Sequence, residues 1–322
     1  MRAAVYDETG GPEVFRYAEV PDPELRPGGL LIEVAAIGIQ GGDLLHRQSG
    51  QLTSRPHIVG YQAAGTVRAV GEGVSGWSAG DRVVATMAAG SHAELVSVPA
   101  GGVWAVPEPL TLQQAAAIPI EFGTAADCLF EFGCLQPGEH VLVQAGAGGV
   151  GLAAIQLAKA AGAVVYATAS TAERVERLLP YGVDHGIDYM AADVVGEIRR
   201  LTERRGVDLV VDPVGGRTLE TSIGALAYRG RISWVGQAGR DDRPPDVWPL
   251  MQKNASLTGV FLGAELAFRR ERTHALIDAL IGRVATGELA AVLDRSFPLA
   301  RAAEAHRYIE SRQAFGRVVL VP

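Results

Sequence analysis

The chain has 322 residues, 48% of them hydrophobic and 20% charged, which supports full cores, excludes wholesale disorder and as a length prior allows two domains. Its net charge of −7 and the lack of a Lys/Arg run argue against a nucleic-acid partner. Met1–Asp7 lacks the layout of a signal peptide, and no apolar run reaches membrane-spanning length. The only cysteines, Cys128 and Cys134, make neither a disulfide framework nor a CxxC pair, so a reducing cytoplasm is the expected compartment.

Residues 3–6 and 14–20 alternate as short strands around a turn at Thr9-Gly10-Gly11-Pro12. Pro21, Pro23, Pro27 and Gly28-Gly29 form a rigid loop before a strand over Leu30–Gly38. A helix-like segment, Gly42–Arg47, follows, then strand-like Val59–Val67 and Gly80–Ala85. Short strands with glycine punctuation predict a partly open β-barrel over roughly the first 120 residues. From Thr111 the pattern turns helical, over Gln113–Ile118 and Thr124–Phe132, with an interruption at Pro119.

From Val141 strands and helices alternate. The strands are expected at 141–144, 163–168, about 184–188, 207–212, 231–236 and 256–261, an arrangement of a parallel sheet covered on both faces. A long helical run extends from Gly263 to about Thr286. A helix around Ala302–Ser311 and a last strand, Gly316–Val321, form a tail expected to return to the N-terminal barrel.

The passage His140–Gly162 organises the rest. A buried strand is followed by G-x-G-x-x-G at Gly146, Gly148 and Gly151, then by a helix-forming run. Such glycines serve a sharp turn, close approach to a pyrophosphate and helix–strand packing, and the helix N-terminus suits a diphosphate. The second strand, Ala163–Thr168, follows at the spacing of a βαβ unit, so the passage reads as a dinucleotide site. An NAD site usually carries Asp or Glu at the end of that strand. Here Ser170 and Thr171 stand in its place and Arg174 lies one turn on, able to offer a fork of donors to a phosphate or to cap a solvated helix face beside Glu173 or Glu176.

GDRVV (Gly80–Val84), Ile118-Pro119 with Thr124, Gln144–Ala163, Ser170–Arg174, Ile187–Tyr189, Val210–Gly216 and Gly316–Pro322 together carry a resemblance. The chain resembles the zinc-free quinone oxidoreductase branch, the zeta-crystallin-like one, of the medium-chain dehydrogenase/reductase superfamily. The resemblance spans essentially the whole length. It implies an α/β protein with a GroES-like catalytic domain over 1–122 and 265–322, and a Rossmann doubly wound parallel sheet over 123–264. The family holds the nicotinamide in the cleft between the two, and many members are homodimers joined at the Rossmann sheet edge.

The same resemblance assigns site residues. Ser170, Arg174 and Tyr189 match the family's surroundings of a 2′-phosphate, which makes NADPH the expected cofactor. The diphosphate falls to Gly146, Gly148, Gly149, Val150 and Gly151. Thr124, Gly236, Phe261 and Arg317 complete the cofactor set, and Gln40, Asp43 and Tyr61 are the catalytic candidates. Zinc-dependent relatives place ligands where this chain has Gln40, Tyr61-Gln62 and Ile120, none of which replaces a Cys or His at a tetrahedral zinc, so no metal is expected. His46, His57 and His92 lie at no metal spacing and read as ordinary polar or cap residues. Many relatives have Asn at position 40, an aromatic at Leu45 and Glu at position 62, and bulkier residues at Gly41 and Gly42, which implies a roomier cleft here.

Tyr61 has two readings, a proton donor or substrate anchor, and a packed barrel residue. No serine or cysteine nucleophile stands at legible spacing, and hydride transfer needs only positioning, an apolar cleft and a proton source. The expected activity is NADPH-dependent reduction of a quinone or other α,β-unsaturated carbonyl. Two alternatives stay open: an enoyl-thioester reductase of fatty-acid or polyketide type, and an NADPH-binding sensor or structural protein with little turnover. A small-molecule acceptor is the expected partner.

Overall fold

The computed structural model describes residues 1–241 and 243–322, which form two compact units. The first comprises Met1–Ile120 with Leu266–Pro322, the second Glu121–Glu265.

In the first unit β1 (Arg2–Tyr6) pairs antiparallel with β2 (Arg16–Glu19) and β4 (His57–Ile58). The larger sheet has seven strands. It is built on the ten-residue β3 (Gly29–Gly38), which pairs with β5 (Gln62–Val70), β7 (Leu95–Pro99) and the C-terminal β16 (Arg317–Val321). β6 (Arg82–Thr86) links β5 to β8 (Val103–Ala105), and β15 (Leu293–Pro298) lies parallel to β16. The tail thus returns to the N-terminal sheet and extends it beyond β3 by two strands. Leu30, Ile32 and Val34 alternate inward along β3 to meet Val83, Val98, Val318 and Leu320 in one core.

A polar cluster sits inside this unit. His92 Nε2 lies 3.1 Å from His306 Nε2, and His306 Nδ1 lies 3.3 Å from Arg47 Nη1. Arg47 is buried and also pairs with Glu310 at 2.5 Å. An arginine can only donate, so His306 accepts at Nδ1 and donates from Nε2 to His92, and both imidazoles are neutral. Burial holds His92 down at about 3 and His306 well below the usual imidazole range. His46 bonds the Tyr6 hydroxyl at 3.0 Å and stacks on His57. The reading of His46, His57 and His92 as ordinary polar or cap residues missed this clustering, because the residues converge from separate elements.

The second unit is a six-stranded parallel sheet in the order β11 (His185–Asp188), β10 (Val164–Ala169), β9 (His140–Val143), β12 (Val207–Asp212), β13 (Leu226–Trp234) and β14 (Ser256–Gly259). The first three strands wind one way from β9 and the next three the other, so the topological switch lies between β9 and β12. Ligands of such sheets bind outside the strand carboxyl ends at that switch. Val141, Leu142 and Val143 are fully buried, as a central parallel strand requires.

Two local expectations needed correction. Pro119 opens a helix, Pro119–Ala126, that continues into a π-helical turn at Asp127–Glu131, instead of interrupting one. Its fixed φ and missing N–H suit a first helical position. The run after Gly263 is two helices, Leu262–Phe268 and Arg270–Ala285, parted at Arg269, whose φ of −127° and ψ of 38° are not helical.

Candidate functional site

The glycine loop follows β9 and opens the helix Gly149–Ala160, with Gly148 as its N-cap. The expected division of labour among its glycines holds only in part. The left-handed turn is taken by Ala145, at φ +52°, and not by any of Gly146, Gly148, Gly149 or Gly151. Gly151 is required from inside the protein, and Gly146 is crowded by side chains. A Cβ on Gly151 would stand 2.4 Å from the Ala145 carbonyl oxygen, and one on Gly146 would stand 2.9 Å from Leu178. Gly148 is different. A Cβ there would meet only the Ala145 oxygen, at an ordinary 3.4 Å, and its backbone angles of −82° and 167° suit any residue. Among the described residues nothing demands glycine at 148. It is exposed, next to the first-turn N–H groups of the helix, where a diphosphate would need close backbone approach. Gly149 and Val150 form the first turn of that helix.

Around the loop runs a chain of buried polar groups. Gly146 N–H donates to the Thr168 carbonyl at 2.8 Å, and Ala145 N–H to the Thr168 hydroxyl at 3.1 Å. That hydroxyl bonds Gln144 Oε1 at 2.8 Å, Gln144 Nε2 bonds Ser222 Oγ at 3.2 Å, and Ser222 bonds Asp212 Oδ2 at 2.7 Å. Asp212 Oδ1 accepts the N–H groups of Val214 and Gly215. Burial pushes the Asp212 carboxyl up from the ordinary carboxylate range, and the donors from Gly215, Ser222 and Val214 oppose that push. The sequence reading passed over all four side chains. Their signal was present: Gln144, Thr168 and Asp212 each end an apolar run, 141–143, 164–167 and 209–211, at the carboxyl ends of three neighbouring strands.

Ser170 directly follows β10, and Tyr189 directly follows β11. Tyr189 N–H donates to the Ala169 carbonyl at 3.0 Å, which holds the two strand ends side by side. Thr171 caps the short helix Ala172–Glu176 by accepting Arg174 N–H, and this sets Arg174 in its first turn. The structure therefore gathers Ser170, Arg174 and Tyr189 at one corner of the sheet, with no acidic residue at the end of β10. Gly236 follows β13 and its carbonyl accepts the Trp234 indole N–H at 2.7 Å. Phe261 follows β14 and is 74% exposed, while Thr124 is buried in the helix Pro119–Ala126.

In the first unit, Gln40, Asp43 and Tyr61 converge at the start of the helix Gly41–Ser49. Asp43 Oδ2 accepts Gln40 N–H at 2.8 Å, a capping contact that leaves Asp43 fully buried. A Cβ on Gly42 would lie 2.6 Å from the Tyr61 hydroxyl oxygen, whereas one on Gly41 would meet nothing within 4 Å. The room expected over both glycines thus exists only at Gly41. The phenol of Tyr61 already occupies the space at Gly42. Gln62 is fully buried, its amide donating to the Ala116 carbonyl at 2.5 Å and accepting Ile120 N–H at 2.8 Å. Arg317 belongs to this unit too and donates to the Ile39 carbonyl at 2.5 Å, directly behind Gln40. Among the described residues no group of three or more His, Cys, Asp or Glu is placed to hold a metal ion.

Two family models match the chain: an alcohol dehydrogenase GroES-like domain over residues 26–108 and a zinc-binding dehydrogenase over 149–281. Over its whole length the chain is 33% identical to the human synaptic vesicle membrane protein VAT-1 homolog, covering 86% of that protein. It is 32% identical to a 2-haloacrylate reductase of a Burkholderia species, covering all of the chain and 99% of the relative. The Escherichia coli quinone oxidoreductase, solved in complex with NADPH, superimposes with a TM-score of 0.95 at 30% identity over 100% of both chains. The chain belongs to the quinone oxidoreductase-like branch of the medium-chain dehydrogenase/reductase superfamily. Its GroES-like sheet and doubly wound parallel sheet are those of the superfamily, and it is an oxidoreductase of that group.

Proposed function

We propose that the protein is a zinc-independent, NADPH-dependent oxidoreductase that delivers a hydride to a quinone or another α,β-unsaturated carbonyl. The observation that carries the cofactor assignment is the corner formed by Ser170, Arg174 and Tyr189 beside a strand end that lacks an acid. A hydroxyl, a guanidinium and a phenol suit a 2′-phosphate, and a carboxylate there would repel one. The E. coli structure with NADPH supports the same reading. Gly146, Gly148, Gly149, Val150 and Gly151 are the proposed diphosphate-side residues. Thr124, Gly236 and Phe261 are the proposed nicotinamide-side residues, and Arg317 acts by holding the backbone at Ile39.

Bound NADPH supplies a hydride. Gln40, Asp43 and Tyr61 are the proposed acceptor-side residues, with Tyr61 as proton donor or substrate anchor. Zinc independence is supported by chemistry at the positions where zinc-dependent relatives place ligands. Gln62 spends both ends of its amide on the main chain, and Ile120 has no donor atom in its side chain. With no such Lewis acid to polarise an unactivated carbonyl, the acceptor must bring its own electron withdrawal. The relative that reduces 2-haloacrylate, an electron-poor alkene, is consistent with this.

A second reading, an NADPH-binding protein with little turnover, is favoured by one observation. Asp43 and Tyr61 both have structural jobs, as a helix cap and as the filling beside Gly42. We further propose a cytoplasmic homodimer. β14 is an edge strand of the parallel sheet, Trp248 and Met251 just before it are more than half exposed, and Cys134 is an exposed free thiol. The test is steady-state NADPH oxidation with a quinone, an enone, an enoyl thioester, a simple ketone and an alcohol, before and after exhaustive chelation. Chelator-insensitive turnover of the quinone or enone is expected. Preference for the thioester selects the enoyl reductase, no turnover with tight NADPH binding selects the second reading, and chelator-sensitive alcohol oxidation refutes the proposal.

A further inference from the structure

The polar chain beneath the glycine loop has a direction, and the direction can be derived. Asp212 accepts from two backbone N–H groups and from Ser222. A carboxylate has no proton to give, so Ser222 must donate. Having spent its proton, Ser222 can only accept from Gln144, which fixes the amide with nitrogen toward Ser222 and oxygen toward Thr168. Thr168 must then donate to Gln144, so its remaining lone pair faces the N–H of Ala145. The charge on Asp212 thus decides, three side chains away, that Thr168 is an acceptor for the main chain. The recipient is Ala145, at φ +52°, a left-handed position costing a non-glycine residue about 1–2 kcal/mol. Gln144, Thr168, Asp212 and Ser222 are each at most 2% exposed, so no water competes for these bonds and each polarises the next.

We propose that Asp212, Ser222, Gln144 and Thr168 form a positioning relay that holds the diphosphate loop in its binding conformation and couples it to the loop after β12. The inference rests on reading the glycine loop as the dinucleotide site. The loops it ties together, 145–148 after β9 and 213–216 after β12, flank the topological switch of the sheet. Thr168 also stands two residues before Ser170, so one hydroxyl joins the diphosphate loop to the strand end proposed for the 2′-phosphate.

Asp212→Asn is the informative change because it preserves shape and reverses polarity. The asparagine oxygen can keep the N–H groups of Val214 and Gly215, which turns its NH2 toward Ser222. The Ser222 proton then loses its carboxylate acceptor, and Gln144 can take it only by flipping its amide, which turns the NH2 toward Thr168 and strips the Thr168 proton of its own acceptor beside Ala145 N–H. The conflict surfaces at the glycine loop and not at the mutated residue.

The test is equilibrium titration of NADPH and NADH, at a temperature where every variant is folded by circular dichroism, into wild type, Asp212→Asn, Thr168→Val, Thr168→Ser and the double variant Asp212→Asn/Thr168→Val. The relay predicts about tenfold weaker binding of both dinucleotides in Asp212→Asn and in Thr168→Val. It predicts near-wild-type binding in Thr168→Ser, and a double variant no worse than Thr168→Val alone. Should Asp212→Asn not fold, the Val and Ser variants of Thr168 carry the test by themselves. Unchanged affinity in variants that merely unfold earlier, or additive losses in the double variant, would overturn the relay while leaving the dinucleotide site intact. Wild-type protein that binds neither dinucleotide would overturn both.

Discussion

Replacing Gly148 and Gly151 separately should divide binding from folding. Gly148 has N-cap angles of −82° and 167°, open to any residue, and an added Cβ finds its only neighbour at 3.4 Å. Gly148→Ala therefore brings no clash. It loses a favourable N-cap, at a cost of about 0.5–1 kcal/mol, and gains about 0.4–1 kcal/mol from a stiffer unfolded chain. The two nearly cancel, so stability should move by less than about 1 kcal/mol. Gly151→Ala instead drives a Cβ to 2.4 Å from the Ala145 oxygen and 2.8 Å from the Gly146 Cα. Both are backbone atoms and cannot swing aside, so the change should cost about 1–3 kcal/mol or more. Urea unfolding measures the stabilities, and quenching of intrinsic fluorescence by NADPH measures affinity. Gly148→Ala should unfold like wild type yet bind NADPH at least tenfold more weakly, and Gly148→Val should bind none. Full NADPH affinity in a folded Gly148→Val would refute the argument that this glycine is kept clear for a diphosphate.

Tyr61→Phe should lower turnover by about 10²-fold with little change in NADPH affinity if the phenol donates the proton, and unchanged turnover would leave it the packing role beside Gly42. Acid should destabilise the first unit through His92 and His306. Their folded values lie below the unfolded value of 6.5, so the unfolded state binds more protons and stability falls as pH drops from about 6.5 toward 3. The slope for two such groups approaches about 2.7 kcal/mol per pH unit. His306→Gln should flatten that slope in urea melts at pH 4–7, and an unchanged slope would contradict neutral burial.

Much of the second unit was legible because its signals are local. The glycine spacing, the apolar strands and the hydroxyls after β10 occupy short continuous stretches, and each acts through the backbone near it. What escaped was non-local. The relay joins Gln144, Thr168, Asp212 and Ser222 across three strands and a helix, and each residue is unremarkable in its own segment. Ala145 taking the left-handed turn was hidden because the neighbouring glycines supply a more familiar candidate. At Gly41-Gly42 the sequence shows two missing side chains but not that Tyr61 fills one of the spaces. Pro119 was misread because a proline that breaks one helix and a proline that starts another look alike until the preceding helix is known to end at Ala115.

The central claim is a cofactor recognised through its 2′-phosphate, and parallel titration of NADPH and NADH into wild type and Arg174→Ala tests it most directly. A charge-assisted hydrogen bond contributes about 1.5–3 kcal/mol, so the variant should bind NADPH about 10- to 100-fold more weakly. Its affinity for NADH should stay at the wild-type level, and wild type should prefer NADPH. Equal losses for both dinucleotides, or a wild-type preference for NADH, would contradict the account.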